Sequence, residues 1–135
     1  MEKIIFLLGV SWAGKTVLIN DLLFMNPNLI LIPSYTSRPP RDNEKDGRKY
    51  FFLSADEFEE NISKWEFLEY TTNRVNNYRY GTKIKDVEMA FNKWLNPISE
   101  TSIWGLLHIQ RNANFPWNYT SIFLDIPDEL IRYRL

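Results

Sequence analysis

The chain has 135 residues, a net charge of −1 and no cysteine, and 44% of its residues are hydrophobic. This length predicts one domain that buries its own core, and the composition is that of a soluble globular protein. The charge argues against a nucleic-acid partner, and the lack of cysteine excludes disulfides and thiolate metal sites. No apolar run reaches the length of a membrane span, so we expect no membrane partner and a cytoplasmic location.

The first third of the chain alternates between strand-like and helix-like segments. Residues 3–10 form a continuous apolar run, typical of a parallel strand that is covered on both faces. Apolar residues at helical spacing predict a helix over residues 15–25. Residues 28–35 are predicted to form a second buried strand, and residues 37–50 form a polar, proline-rich loop.

The middle of the chain, residues 34–82, is richer in short strands and predicts a lobe inserted into the core formed by residues 1–33 and 83–135. Ser54 and Glu57 predict a capping box at the start of a helix in this lobe. The remaining predicted strands are 50–54, 66–72, 77–83 and 118–126, and the remaining predicted helices are 55–64, 85–95, 103–111 and one beginning at 127. The alternation predicts an α/β fold with a parallel sheet, flanking helices and a mixed-β lobe.

Five aromatic residues are predicted to lie in the core rather than to serve as platforms for a ligand. They are Trp65, Phe67, Phe91, Trp94 and Trp104.

Residues 9–16, with the sequence GVSWAGKT, match the phosphate-binding pattern G-x-x-x-x-G-K-[ST]. The glycines allow backbone N–H groups to point at phosphate oxygens, and the helix that follows adds its positive end. Lys15 would neutralise the β- and γ-phosphates, and Thr16 would place a hydroxyl on Mg²⁺. The alternative is a glycine turn without a ligand, but the buried strand before it and the helix after it favour the nucleotide site. The predicted ATP-binding residues are Gly9, Ser11, Trp12, Ala13, Gly14, Lys15, Thr16 and Val17.

A second cluster lies in the proline-rich loop, where Arg38 and Arg41 come close to Ser34 and Tyr50. Two guanidinium groups on one restricted loop match the paired oxygens of a phosphate. The alternative is a solvated basic loop in which the acidic residues of segment 42–46 serve as counter-ions.

Glu69 lies in a strand-like run with apolar and aromatic neighbours. A carboxylate accepts two hydrogen bonds side by side, and guanine offers two donors at N1 and the 2-amino group. Thr82 could complete the contact with the base, and Tyr80 could donate to a phosphate. The alternative for Glu69 is an exposed position on an edge strand.

Together, GVSWAGKT, SYTSRPPRDNEKDGRKYFF, FLEY and YRYGT resemble the guanylate kinase family in order and spacing. The resemblance implies transfer of the ATP γ-phosphate to GMP, giving GDP and ADP, with Mg²⁺ as cofactor at Thr16 and a P-loop NTPase-type sheet. It implies that Lys15 and Arg41 are catalytic. The implied GMP-binding residues are Ser34, Arg38, Arg41, Tyr50, Glu69, Tyr80, Gly81, Thr82, Glu100 and Ser102.

Three departures from the family pattern qualify these expectations. Trp12 stands where the family has glycine, so weaker ATP binding is expected. Glu100 and Ser102 fall at two aspartate positions of an acidic strand. The sequence also stops before the family's arginine-bearing lid and adenine-packing segment, so slow phosphotransfer is expected if the chain ends at Leu135. Two alternatives stay open: a non-catalytic module that binds GMP or a phosphorylated partner, and a kinase for another monophosphate such as dGMP.

Overall fold

A computed structural model describes residues 2–10 and 13–134, which form two four-stranded sheets with flanking helices. The strands are β1 (Lys3–Gly9), β2 (Leu29–Leu31), β3 (Ser34–Thr36), β4 (Tyr50–Phe52), β5 (Phe67–Thr72), β6 (Arg79–Lys83), β7 (Asn96–Glu100) and β8 (Asn118–Leu124). The helices are α1 (Lys15–Met25), α2 (Ala55–Ser63), α3 (Ile84–Asn92), α4 (Ile103–Arg111) and α5 (Asp128–Arg134).

The first sheet has the strand order β2-β7-β1-β8, and all its pairings are parallel. Its strand β1 is covered on both faces, as its continuous apolar sequence predicts. Ile4, Phe6 and Leu8 pack on one face, whereas Leu7 packs on the other face with Ile19 of α1. Residues at the carboxyl ends of these parallel strands therefore gather at one edge of the sheet.

The second sheet has the order β4-β3-β6-β5 and contains one parallel and two antiparallel pairings. It is the predicted mixed-β lobe, and α2 begins within it at the predicted capping box. The Ser54 hydroxyl accepts from the Glu57 backbone N–H, and the Glu57 carboxylate accepts from the Ser54 backbone N–H at 2.7 Å.

Two predictions about strands are wrong. The predicted single strand over residues 28–35 is two strands, β2 and β3, which belong to different sheets. Pro33 separates them, and the chain changes sheets there because proline has no N–H to continue a ladder. The local sequence pattern did not predict strand β7, which the family resemblance alone implied near Glu100, because Asn96 and Pro97 are both unfavourable in strands.

The prediction of aromatic core positions is wrong for three of the five residues. Trp65 and Trp94 are 87% and 91% exposed, and Trp104 is 61% exposed. Trp65 and Trp94 follow the ends of α2 and α3 with φ values of 58° and 60°. At this left-handed position the chain turns away from the helix, so neither indole packs against the apolar face of its helix. Trp94 also shows that the predicted helix over 85–95 ends at Asn92.

Candidate functional site

A cleft of about 1600 Å³ lies between the carboxyl edge of the parallel sheet and the mixed sheet. It brings together the three groups of residues that the sequence singled out. The predicted site residues that line it are Gly9, Gly14, Lys15, Thr16, Val17, Ser34, Arg38, Arg41, Tyr50, Glu69, Tyr80, Gly81, Glu100 and Ser102. Ala13 and Thr82 are buried and are not part of its lining.

The described residues of the turn between β1 and α1 include a left-handed glycine at the start of the helix. Gly14 is the N-cap of α1 and has φ 92°, a left-handed conformation that glycine adopts without strain. The Lys15 ammonium donates to the Gly9 carbonyl at 2.7 Å, which holds the side chain folded back over the loop. Ser11 and Trp12 lie outside the described residues, so the effect of Trp12 stays a prediction.

The ammonium of Lys15 lies in the electrostatic field of two other cleft residues. Burial lowers the pKa of Lys15; the Glu100 carboxylate opposes this shift, and the Lys49 ammonium adds to it. Glu100 ends β7, and its carboxylate lies 3.7 Å from the Lys49 Nζ atom. Lys49 precedes β4, so the phosphate-binding loop and the arginine loop (residues 37–49) meet at this point.

Within the arginine loop, Arg38 already has an internal carboxylate partner. Its two terminal nitrogens donate to Glu44 at 2.7 and 2.9 Å, and its guanidinium lies 5.3 Å from the centre of the Tyr50 ring. The hydrogen bond from Arg38 lowers the pKa of Glu44 to about 2, so Glu44 is ionised at neutral pH. The alternative of internal counter-ions is therefore realised for Arg38.

Arg41 differs from Arg38 because it is exposed. It contacts Glu44 through its backbone, whose N–H donates to Glu44 Oε1 at 2.9 Å. Arg41 lines the same cleft as Tyr50 and Tyr80, whose rings meet edge to face at 5.9 Å. Burial raises the pKa of Tyr50 to about 12, so this hydroxyl remains a donor. Arg41 and the tyrosines form a donor surface that suits a phosphate.

At the opposite end of the lobe, Glu69 is not exposed on an edge strand, because only 3% of it is exposed. The Thr82 hydroxyl donates to Glu69 Oε1 at 2.8 Å and lies 3.2 Å from the Ser99 hydroxyl. Burial raises the pKa of Glu69 to about 7, and hydrogen bonds from Thr82 and Thr101 oppose that shift. In this conformation Thr82 reaches the cleft only through Glu69, so its own contact with a base stays a prediction.

The predicted acidic strand position is corrected for Ser102. Glu100 is the last residue of β7, but Ser102 lies beyond the strand and is the N-cap of α4. Its hydroxyl accepts from the Gly105 backbone N–H at 3.2 Å. Ser102 therefore stabilises the start of α4 through its hydroxyl oxygen and also lines the cleft.

Comparison with known proteins agrees with this arrangement. The family model for guanylate kinase matches residues 1–128. The chain belongs to the guanylate kinase family. It is 39% identical over 132 residues to the guanylate kinase of Bacteroides fragilis, covering 96% of this chain and 63% of that protein. It is 31% identical to the guanylate kinase of Thermotoga maritima, covering 92% of this chain and 60% of the relative.

A crystal structure of guanylate kinase from Anaplasma phagocytophilum matches the fold with a TM-score of 0.78 at 27% identity. The match covers 98% of this chain and 65% of that one, and it confirms the predicted α/β fold. The chain therefore spans about 63% of the length of the first relatives that it matches.

The oxygen donors of this guanylate kinase fold suit Mg²⁺ that arrives with a nucleotide. Mg²⁺ usually keeps several waters and takes one or two protein oxygens together with substrate phosphates. The Thr16 hydroxyl and the Glu100 carboxylate line the same cleft. In the part of the chain that the structure describes, no three acidic, histidine or cysteine side chains form a metal site of their own. None of its helices is long and apolar enough to cross a membrane.

Sequence reasoning missed several residues of the site. Lys49, Thr101 and Trp104 line the cleft. Ser99 reaches Glu69 through Thr82, and Gly105 lies directly against Glu69 and Thr101. Ser99 carried no signal in the sequence, because its full burial is a property of the folded chain. Thr101 and Gly105 carried none, since their contact with Glu69 joins segments far apart in sequence.

Proposed function

We propose that this chain binds GMP and ATP in the cleft and transfers the ATP γ-phosphoryl group to the GMP phosphate. The observation that carries the proposal is the meeting of Lys15, Glu100 and Lys49, where the phosphate-binding loop faces the arginine loop. A phosphoryl donor on one loop and an acceptor on the other would approach each other there. The membership of the guanylate kinase family supports the same substrates.

In this proposal GMP lies along the lobe. Guanine would donate from N1 and its 2-amino group to Glu69, and Gly81 would let the base approach the strand closely. Ser34, Arg41, Tyr50 and Tyr80 would surround the phosphate. Arg38 keeps most of its donors on Glu44 and Pro39, so Arg41 would be the main mobile cation for this phosphate.

ATP would place its β- and γ-phosphates on the loop before α1. Lys15 would exchange the Gly9 carbonyl for phosphate oxygens, and the backbone N–H groups at the helix start would hold the same charge. When bound with ATP, Mg²⁺ would offset phosphate charge next to Thr16.

The transfer itself needs positioning and charge compensation rather than proton transfer. An oxygen of the GMP phosphate forms a bond to the γ-phosphorus, and the bond from that phosphorus to the β-bridging oxygen breaks. Lys15 and Arg41 would offset the negative charge on the moving group. The products are GDP and ADP.

The test is a coupled assay of ADP production by the 135-residue chain with ATP, Mg²⁺ and each of GMP, AMP, CMP and UMP. We expect production that depends on GMP and disappears in Lys15→Ala. Lys93→Ala, which changes an exposed lysine beyond α3, is the matched control and should retain the rate. Production equal in the presence of AMP, or equal in wild type and Lys15→Ala, would contradict the proposal.

A further inference from the structure

The second oxygen of the Glu69 carboxylate has an unusual environment. Its first oxygen, Oε1, accepts from Thr82. Thr82 has a single hydroxyl proton, which it gives to Glu69, so toward the Ser99 hydroxyl at 3.2 Å it can act only as an acceptor. One side of the carboxylate is thus fixed by a relay of two hydroxyls that lie fully buried in β6 and β7.

The other oxygen, Oε2, is held at the junction of β7 and α4. The Thr101 hydroxyl lies at this junction, where it favours the ionised form of Glu69 and so opposes the rise in its pKa. A methyl group on Gly105 would lie 2.1 Å from Thr101 Oγ1 and 2.6 Å from Glu69 Oε2, so the two oxygens meet directly against a glycine. Glycine is required at this position because any side chain would occupy the space of the carboxylate.

We propose that Thr101 is a positioning residue for guanine recognition, because its hydroxyl, set against Gly105, fixes the Glu69 carboxylate in the orientation that the base requires. The inference rests on the proposed function, since it takes Glu69 as the residue that contacts guanine. It adds to that function a residue that never touches the base and acts through another side chain.

The physical basis is the orientation of the carboxylate. Guanine N1–H and the 2-amino group lie side by side, so the base needs both Glu69 oxygens turned toward it. Without Thr101 the carboxylate can turn about its terminal bond, and burial then favours the neutral acid. A neutral acid carries a proton on one oxygen. That oxygen then donates a hydrogen bond, so it cannot accept from a guanine N–H group.

Three other ionisable groups on the packed elements have partners of their own. Lys83 of β6 donates to Glu66 at 3.1 Å, and Glu100 of β7 lies near Lys49. His108 of α4 packs edge to face on Tyr70 with a ring distance of 5.4 Å. The Thr82 and Thr101 hydroxyls and the Thr82 backbone N–H, rather than a cation, are therefore the groups that stabilise the ionised form of Glu69.

The experiment measures the ratio of dissociation constants for AMP and GMP by calorimetry at pH 7. AMP carries the same phosphate, so its titration cancels from the ratio. The variants are Thr101→Val, Thr101→Ser and Glu69→Gln, with the double variant of Thr101→Val and Glu69→Gln. Thr120→Val, on an exposed position of β8, is the matched control.

We expect Thr101→Val to lower the preference for GMP about tenfold, as for the loss of one hydrogen bond to a charged group. Thr101→Ser restores the donor and should lie within about twofold of wild type, like Thr120→Val. In the Glu69→Gln background, Thr101→Val should have no further effect, because residues that act as one unit are not additive. Raising the pH to 8.5 should recover part of the preference in Thr101→Val, because it ionises Glu69 again.

Several outcomes overturn the inference. If wild type prefers GMP and Thr101→Val retains that preference, the role of Thr101 is contradicted while the proposed function stands. An equal loss in both backgrounds would mean that Thr101 acts independently of Glu69. If wild type binds GMP and AMP equally, the proposed function fails and the inference fails with it. Thermal unfolding checks each variant, and Thr101→Ala replaces Thr101→Val if valine prevents folding.

Discussion

The mixed sheet and its loops form one wall of the cleft, and the two ends of this wall differ in how their polar side chains are buried and held. At the base end, Glu69, Thr82 and Ser99 are almost fully buried, and neutral hydroxyls hold the carboxylate. At the phosphate end, Arg41 is exposed and Arg38 has its own counter-ion in Glu44. In the proposed function, recognition of the base would therefore depend on buried residues, whereas recognition of the phosphate would depend on a surface loop that can change without unfolding the protein.

The largest expected effect is at the base end. Glu69→Gln keeps the volume of the side chain but replaces one acceptor by a donor, which guanine cannot match. We expect the preference for GMP over AMP to fall by about 100-fold or more, as in sites that lose a matched polar contact. Competition binding with the two nucleotides measures it. If the preference is retained, the base end lies elsewhere in the cleft.

The second effect is on stability and separates the two ends most clearly. Thr82→Val removes a fully buried hydroxyl and leaves Glu69 and Ser99 without their shared partner. The free energy of unfolding should fall by about 1–3 kcal/mol, the usual penalty for unsatisfied buried polar groups. Urea denaturation provides the measurement. Arg41→Ala should change the same quantity by less than about 0.5 kcal/mol, as for most surface substitutions; similar losses in both variants would break the comparison.

The third effect is on affinity at the phosphate end. Arg41→Ala should weaken GMP binding about tenfold, since it removes a charge-assisted contact. Its binding should also lose part of its salt dependence, because exposed charges are screened by salt. Titrations at low and high ionic strength test both points. Lys45→Ala, an exposed cation of the same loop, is the control. An unchanged affinity in Arg41→Ala would assign the phosphate to Arg38 alone.

The smallest effect is the dependence of base recognition on pH. Burial raises the pKa of Glu69 to about 7. Its carboxylate is therefore largely protonated at pH 6 and largely ionised at pH 8, and only the ionised form accepts twice. The preference of wild type for GMP over AMP should rise several-fold between these values. The measurement is the ratio of the dissociation constants for AMP and GMP in wild type. If this ratio does not change from pH 6 to pH 8, Glu69 titrates outside this pH range.

The sequence predicted what depends on neighbouring residues. The alternation of strands and helices, the capping box at Ser54 and the helix that begins at Lys15 were confirmed in the structure. The division of residues 28–35 between two sheets was not predicted, because strand partners are chosen by packing across the whole chain. The local pattern missed strand β7 for a related reason, since Pro97 is tolerated there only by its tertiary setting.

The candidate site shows the same limit. The cations and hydroxyls of the arginine loop could be recognised because they are close in sequence. The support of Glu69 could not, because Thr82, Ser99, Thr101 and Gly105 come from three separate elements that only the fold brings together. The exposed indole of Trp104, with Arg74 over its ring at 5.5 Å, is a further feature that no local pattern indicated.

The most direct test of the account is a crystal structure of the chain with GMP. We expect guanine N1 and the 2-amino group within hydrogen-bond distance, about 2.7–3.2 Å, of the two Glu69 oxygens. We also expect the phosphate next to Arg41, Tyr50 and Tyr80, with Thr101 still on Glu69. A structure with the GMP phosphate on the loop at Lys15, or with the base away from Glu69, would contradict the central claim.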